Sequence, residues 1–360
     1  MNAPAKEYDG TNKYIRITDI DEDTCTYKRD DIVSPNAQLE DKYKVQKNDI
    51  LFARTGASTG KAYLYNEKDG LMYYAGFLIR GNVKQDYNAK FVFLQTQTQK
   101  YKKWVDVMSI RSGQPGINSQ EYSSFKFYLP PSKTEQDRIS TLFTLLDERI
   151  STQIRIIEDL KSLSDIICER LYTPSEKESW QTYKYTDLFS ISNERNSKRQ
   201  YKNVLSASQE YGMIERNELN IDIKFEASSI TNYKIVRPNQ YVIHLRSFQG
   251  GFAYSEKTGV CSPAYTILVP NEKLSTAFLK YYFTSKKFID SLRIVTYGIR
   301  DGRSISVEEF LQLKVAIPDV ARQQHIVHVM QLWEEKIKTE ESYLSKLQQQ
   351  KQYLLSTMFV

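Results

Sequence analysis

From Thr134 to Thr173, and again from Ala321 to Val360, apolar residues recur every three or four positions with no Pro or Gly between them. Such spacing puts them on one face of a helix, so each stretch predicts a helix of nearly 40 residues. The two stretches align without a gap at an offset of 187. Ile139 falls on Ile326, Leu142 on Val329, Leu146 on Trp333 and Ile150 on Ile337. Ile157 falls on Leu344, Leu160 on Leu347, Ile167 on Leu354 and Leu171 on Met358. Ser132 with Glu135 fits a capping box at the first helix, and Asp319 can cap the second. At 1.5 Å per residue each helix is roughly 55–60 Å long, too long to lie on one small domain. A narrow apolar stripe on so long a helix calls for a partner helix, and the other copy is the nearest candidate. The competing arrangement packs each helix separately onto its own domain. The stripe has gaps, because Glu341 and Gln350 stand where the first copy has Ile154 and Leu163.

The segments before the helices repeat more loosely. Tyr43-Lys44-Val45 and Asp49-Ile50-Leu51-Phe52-Ala53-Arg54 resemble Tyr233-Lys234-Ile235 and Tyr241-Val242-Ile243-His244-Leu245-Arg246. Each reads as a strand delivering an Arg to a polar, Gly-containing loop, Thr55–Lys61 in one case and Ser247–Gly251 in the other. A second such loop closes each block, Ile110–Asn118 and Gly298–Ile305, with short helices between around Phe91–Leu94 and Phe278–Phe283. The expected fold class is therefore mixed α/β (α+β), in two blocks that each lead into a long helix. The expected boundaries are 1–131 and 180–318 for the blocks, 132–173 and 319–360 for the helices, and 174–179 for a linker. Strict spacing in the helices and drift in the blocks suggest a fixed frame carrying variable heads.

Composition adds limits. Forty per cent hydrophobic and 26% charged residues suit a globular chain. Cys25, Cys168 and Cys261 are few and far apart, which argues against a disulfide framework, and no Cys/His cluster has zinc spacing. With neither a signal-peptide layout nor an apolar run of membrane-spanning length, a cytoplasmic protein is expected. The net charge of +6 is unevenly placed. Residues 1–131 carry 19 basic and 16 acidic side chains and residues 180–318 carry 19 and 13, whereas the intervening and final segments are acidic or neutral. Two basic modules on a neutral frame suit a polyanion.

A block ending in a hydrophobic-Pro-Pro-x-x-x-Glu-Gln-x-x-Ile element and a long helix, present twice, resembles the specificity subunit of type I restriction–modification systems. The strongest match is LPPSKTEQDRI, residues 129–139, with IPDVARQQHI, residues 317–326, as its degenerate partner. The second copy has a single Pro, and Arg322 replaces Glu, but Gln-x-x-Ile persists in both. The resemblance spans nearly the whole chain. It implies two target recognition domains that each read half of a split DNA sequence, held apart by an antiparallel coiled coil. It also implies docking of two modification subunits carrying S-adenosylmethionine and of an ATP-driven motor-nuclease subunit, with no cofactor in this chain. Residues 180–189, WQTYKYTDLF, look like the family's opening strand. The first block has no such stretch, since Tyr14-Ile15-Arg16-Ile17 already aligns with Lys202-Asn203-Val204-Leu205. The first domain is therefore expected to lack about ten opening residues by that loose alignment.

Catalytic alternatives lack their motifs. Gly56-Ala57-Ser58-Thr59-Gly60-Lys61-Ala62 has one residue too few between the glycines for a phosphate loop, and Ala where Ser or Thr must bind magnesium. Pro130-Pro131 follows Leu and precedes Ser, unlike an adenine methylase motif. Acidic pairs such as Asp147-Glu148 and Glu340-Glu341 lie on the long helices and read as a solvated face, and His325 and His328 share the second helix. Cys168 reads as a small packing residue. For DNA, Arg can bond guanine and Gln or Asn adenine, while Lys, Ser and Thr hold phosphates. The candidates are Arg54, Ser58, Lys61, Arg111, Gln114 and Asn118 in the first block. In the second they are Arg246, Gln249, Arg300, Arg303 and Ser304. Most of the 26 Tyr and 16 Phe are assigned to packing. The readings left beside a DNA-reading subunit are a coiled-coil scaffold with protein-binding heads, and an orphan or truncated specificity subunit that no longer supports restriction.

Overall fold

The computed structural model describes every residue except 23, 209–210, 217–226, 245–250, 293–295, 298–303 and 360. The chain forms two compact units. One comprises Met1–Arg155 with Glu341–Val360, the other Ile156–Glu340. Each unit thus holds one α/β block and a part of both long helices.

In the first unit the strands are β1 (Ala5–Glu7), β2 (Lys13–Ile15), β3 (Val33–Pro35), β4 (Asp49–Ala53), β5 (Ala62–Leu64), β6 (Met72–Tyr74) and β7 (Leu78–Asn82). Then come α1 (Ala89–Gln95), α2 (Gln99–Met108), α3 (Ser119–Ser123) and the long α4 (Lys133–Leu171). β4 runs antiparallel between β5 and β7, and β2 pairs in parallel with β6. Ile50, Leu51 and Ala53 of β4 are buried, on alternate faces of this central strand.

The second unit contains β8 (Gln181–Lys184), β9 (Phe189–Ser192), β10 (Leu205–Ser208), β11 (Gly212–Glu215), β12 (Lys234–Val236), β13 (Gln240–Ile243), β14 (Phe252–Ser255), β15 (Gly259–Cys261) and β16 (Thr266–Pro270). α5 (Phe278–Tyr282), α6 (Lys286–Ser291), β17 (Thr296–Tyr297), β18 (Ser304–Ile305), α7 (Val307–Gln312), β19 (Lys314–Ile317) and the long α8 (Val320–Met358) follow. β13 lies antiparallel between β14 and β16, as β4 lies between β5 and β7. The second unit has a parallel bridge of its own, Val204–Val260, as the first has β2 beside β6; it sets Val204 in the place of Tyr14, two residues away from the register expected from the sequence.

The blocks differ at one edge. In the second unit β9 extends the sheet beside β16, and β8 pairs with β19 just before the long helix. Among the described residues of the first unit, no strand lies beside β7 on that side, and none pairs with the segment before Pro130.

α4 and α8 pack against each other. In the first unit Leu146 and Ile150 are buried with Leu347, and Ile154, Leu344 and Leu354 pack onto them. The Asp147 carboxylate meets the Lys351 ammonium at 2.8 Å, and Arg149 donates to the Tyr343 hydroxyl at 2.6 Å. In the second unit the Trp333 indole donates to the Leu160 carbonyl at 3.1 Å, while Ile167 and Leu171 pack on a core containing Ile326, Val327 and Met330. Early α4 positions meet late α8 positions and the reverse, so the helices run antiparallel. Ile139 packs beside Phe143, Ile157 is buried, and Val329 and Ile337 are half-buried.

Two residues expected in this seam face solvent instead: Leu142 is 43% exposed and Met358 is 37% exposed. Their neighbours Phe143 and Phe359 are buried with Leu355, Phe91 and Leu94. The helix must cover both its partner and the α1 face, and a step of one residue, about 100° around a helix, brings Phe143 onto both. The solvated-face reading of Asp147 is also corrected. Its carboxylate lies between Lys90 and Lys351, at 2.7 and 2.8 Å. Burial pushes this carboxyl up, but the two ammonium groups outweigh it and hold it below the ordinary range.

Candidate nucleic-acid interface

In the first unit, two loops far apart in sequence are laced together. Gly56 N donates to Pro115 O at 2.9 Å, Ile117 N donates to Arg54 O at 2.9 Å, and Thr55 bridges Gly116. The Thr59 hydroxyl reaches Gly56 O at 2.7 Å. Arg54 leaves the end of β4 held by its own N–H on Phe77 O, 3.0 Å away. Arg54, Ser58, Lys61, Arg111, Gln114 and Asn118 are thereby gathered on one ridge.

Their side chains have different occupations. Arg54 and Gln114 are exposed and Ser58 half-exposed, and none of the three side chains has a hydrogen-bond or ion-pair partner among the described residues. Lys61 pairs with Glu22 at 2.9 Å, which draws the Glu22 carboxyl below its usual value. Arg111 is engaged with the loop itself: it donates twice to Glu121 at 2.6 Å, and to the carbonyls of Met108 and Ile110 at 2.9 and 2.8 Å. The Asn118 side chain caps α3 by accepting from Glu121 N at 2.9 Å, and Glu121 accepts in return from Asn118 N at 2.8 Å. Arg111 and Asn118 thus shape the ridge.

What supports these loops has no signature along the chain. Gly60 adopts φ +90°, and a Cβ there would meet Val105 Cγ1 of α2 at 2.5 Å, so both conformation and space require glycine. Tyr122 donates to Ala53 O at 2.6 Å and accepts from Gly60 N at 3.1 Å, and Tyr101 donates to Gly60 O at 2.9 Å. Burial pushes the phenols of both tyrosines up, keeping them neutral donors. Sequence alone assigns these residues to packing, because nothing in their spacing marks a hydroxyl that will find a loop carbonyl. Phe77, 60% exposed beside Arg54, also carried no signal.

In the second unit Arg246, Gln249, Arg300 and Arg303 lie outside the described residues. Ser304 falls in β18, which pairs with β17. Cys168 is buried in the core of this unit, its thiol pushed up to about 12 by burial. Among the described residues no group of His, Cys, Asp or Glu could hold a metal ion, and no helix is long and apolar enough to cross a membrane.

The sequence profile of the family described as "Type I restriction modification DNA specificity domain" matches this chain twice, over residues 2–162 and 177–349. The chain belongs to that family. It is a non-catalytic DNA-recognition subunit of a type I restriction–modification system, with two specificity domains for a bipartite target. No curated protein matches it by sequence. Solved structures share its fold. One, from work on complex assembly and conformational transition of the type I R-M system, is 12% identical with a TM-score of 0.60, over 95% of this chain and 90% of that one. Another, the type I S subunit from M. genitalium, is 16% identical with a TM-score of 0.54, over 91% of this chain and 86% of that one.

Proposed function

We propose that the joined ridge of the first unit is a DNA-reading surface. The observation that carries this is the unpartnered, exposed Arg54 held by its backbone between two interlaced loops. The backbone here is already ordered, so meeting a base costs only the ordering of the side chain itself, about 0.5–1.5 kcal/mol. Arg54 and Gln114 contact base edges, Ser58 contacts a phosphate and Lys61 joins it by exchanging Glu22 for a phosphate, and the exposed Phe77 ring supplies an apolar contact. Arg246, Gln249, Arg300, Arg303 and Ser304 do the corresponding work in the second unit, by their matching places in the repeat. Residues 1–131 and 180–318 are the two recognition domains, and 132–173 and 319–360 the spacer helices.

α4 also turns apolar side chains toward solvent in each unit. Leu142 and Leu145 are exposed in the first unit, and Ile156, Leu163 and Ile166 in the second. An exposed apolar stripe of this kind marks a protein contact. It is assigned to the modification subunits, two per chain, which carry S-adenosylmethionine; an ATP-driven motor-nuclease subunit completes the assembly in the cytoplasm. To test the ridge, the chain is co-expressed with its modification subunits and adenine methylation is mapped by sequencing. Arg54→Ala is expected to relax one base position in one half-site, with a loss of about 1–3 kcal/mol. An equal loss for every target sequence would make Arg54 a phosphate contact, and no loss would remove this ridge from the interface.

A further inference from the structure

The Gln-x-x-Ile core that both repeats retain has an equivalent structural task in each. Gln136, 1% exposed, accepts from Asn88 N at 3.0 Å and donates to Pro130 O at 2.9 Å. Gln323, also 1% exposed, accepts from Ser275 N at 2.8 Å and donates to Pro318 O and Lys273 O at 3.0 and 2.8 Å. Asn88 and Ser275 are themselves separated by the repeat offset. Each glutamine therefore ties the first turn of a long helix to the residues leading into the short helix of its head, α1 or α5.

A second tie recurs eleven residues on. Asp147 of α4 accepts from Lys90 of α1 at 2.7 Å. Glu334 of α8 accepts from Lys280 and Tyr281 of α5 at 3.1 and 2.7 Å. Eleven residues are about three turns, so glutamine and acid share one face of the helix some 16 Å apart. Two attachments at that separation stop a head from pivoting about either one. Between them the apolar contact differs in kind: Phe143 packs on Phe91 and Leu94, whereas Met330 occupies the equivalent place among aromatic residues. The polar ties keep their positions while the packing between them varies.

We infer that Gln136 with Asp147, and Gln323 with Glu334, are positioning residues that set the angle of each head on its helix, and so the spacer length the subunit accepts between half-sites. They touch no DNA. This inference rests on bipartite recognition by the two domains.

The test uses the chain co-expressed with its modification subunits and a target library. Both half-sites are kept, and the spacer is native, one base pair shorter or one longer. Gln136→Leu removes the first tie at similar volume, and Asp147→Asn removes the charge from the second. Each is expected to raise methylation of off-length targets relative to native ones on the order of tenfold, the scale of one lost buried hydrogen bond. The bases read in each half-site stay the same, and Asp147→Glu restores the native ratio. If Gln136→Leu fails to fold, Asp147→Asn carries the test, since that carboxylate lies at the edge of the packed face. A uniform fall in methylation at all three spacers, with the ratio unchanged, would show a merely structural role and overturn the inference. Should the unaltered chain direct no split methylation motif, bipartite reading itself would fail instead.

Discussion

Leu145 and Leu146 are adjacent and identical in chemistry, yet the fold assigns them opposite environments: 56% exposed for the first and 7% for the second. Leu146 packs with Ile150 and Leu347. Replacing it with Asp forfeits about 1.5–3 kcal/mol of side-chain burial. It also places a carboxyl where neither water nor a cation satisfies it, adding about 1–3 kcal/mol. The total of about 3–6 kcal/mol compares with a whole-domain stability of about 5–15 kcal/mol, so the first unit should be largely destabilised. Leu145→Asp changes a solvated position and should cost no more than about 0.5 kcal/mol. Urea unfolding followed by far-ultraviolet circular dichroism reads both variants. The Leu146→Asp midpoint should fall steeply and that of Leu145→Asp should match the unaltered chain. Leu145→Asp should nevertheless reduce capture of modification subunits in co-expression, because it charges the exposed stripe. Equal midpoints for the two variants would refute the assignment of faces on α4.

Two further outcomes follow from local geometry. Gly60→Ala should destabilise the first unit by about 1–3 kcal/mol, combining a left-handed backbone with the Val105 clash. Gly113→Ala, where a Cβ meets nothing within 4 Å, should leave the thermal midpoint unchanged. In acid, Glu334 should matter. Burial pushes its carboxyl up, but Lys338, Tyr281 and Lys280 outweigh that and hold it at about 2, against an ordinary 4.5. A folded-state value below the unfolded one gives stability that is present above about 4.5 and lost as pH falls toward 2. After allowance for its partial exposure, the contribution is about 1–2 kcal/mol. Glu334→Gln should flatten the decline of the melting temperature between pH 5 and pH 3, taken as the measurable part of that window; an unchanged slope would place the acid sensitivity elsewhere.

The exclusion of catalytic motifs, the long helices and their exact repeat could be read directly from the chain, because helical periodicity and missing glycine or proline are local properties. Periodicity also marked an apolar stripe, but it could not choose between Leu142 and Phe143 for the seam. That choice depended on α1, which meets α4 from a second direction. The sequence placed Asp147 on a helix; only the approach of Lys90 and Lys351 made it an anchor.

The reading loops show the same division. Arg54, Ser58, Lys61, Arg111, Gln114 and Asn118 were singled out as polar loop residues, and the fold does bring their loops together. Which of them remain available to a ligand was decided by partners distant in sequence or hidden in the turn: Glu22 for Lys61, Glu121 for Arg111, and the first turn of α3 for Asn118. By itself, the sequence determined a duplicated helical frame with two heads, because spacing along one chain is enough to specify a helix face. The tertiary structure alone decided how each head is tied to that frame and which side chains stay unpaired, because a hydrogen bond is set by distance in space rather than by position along the chain.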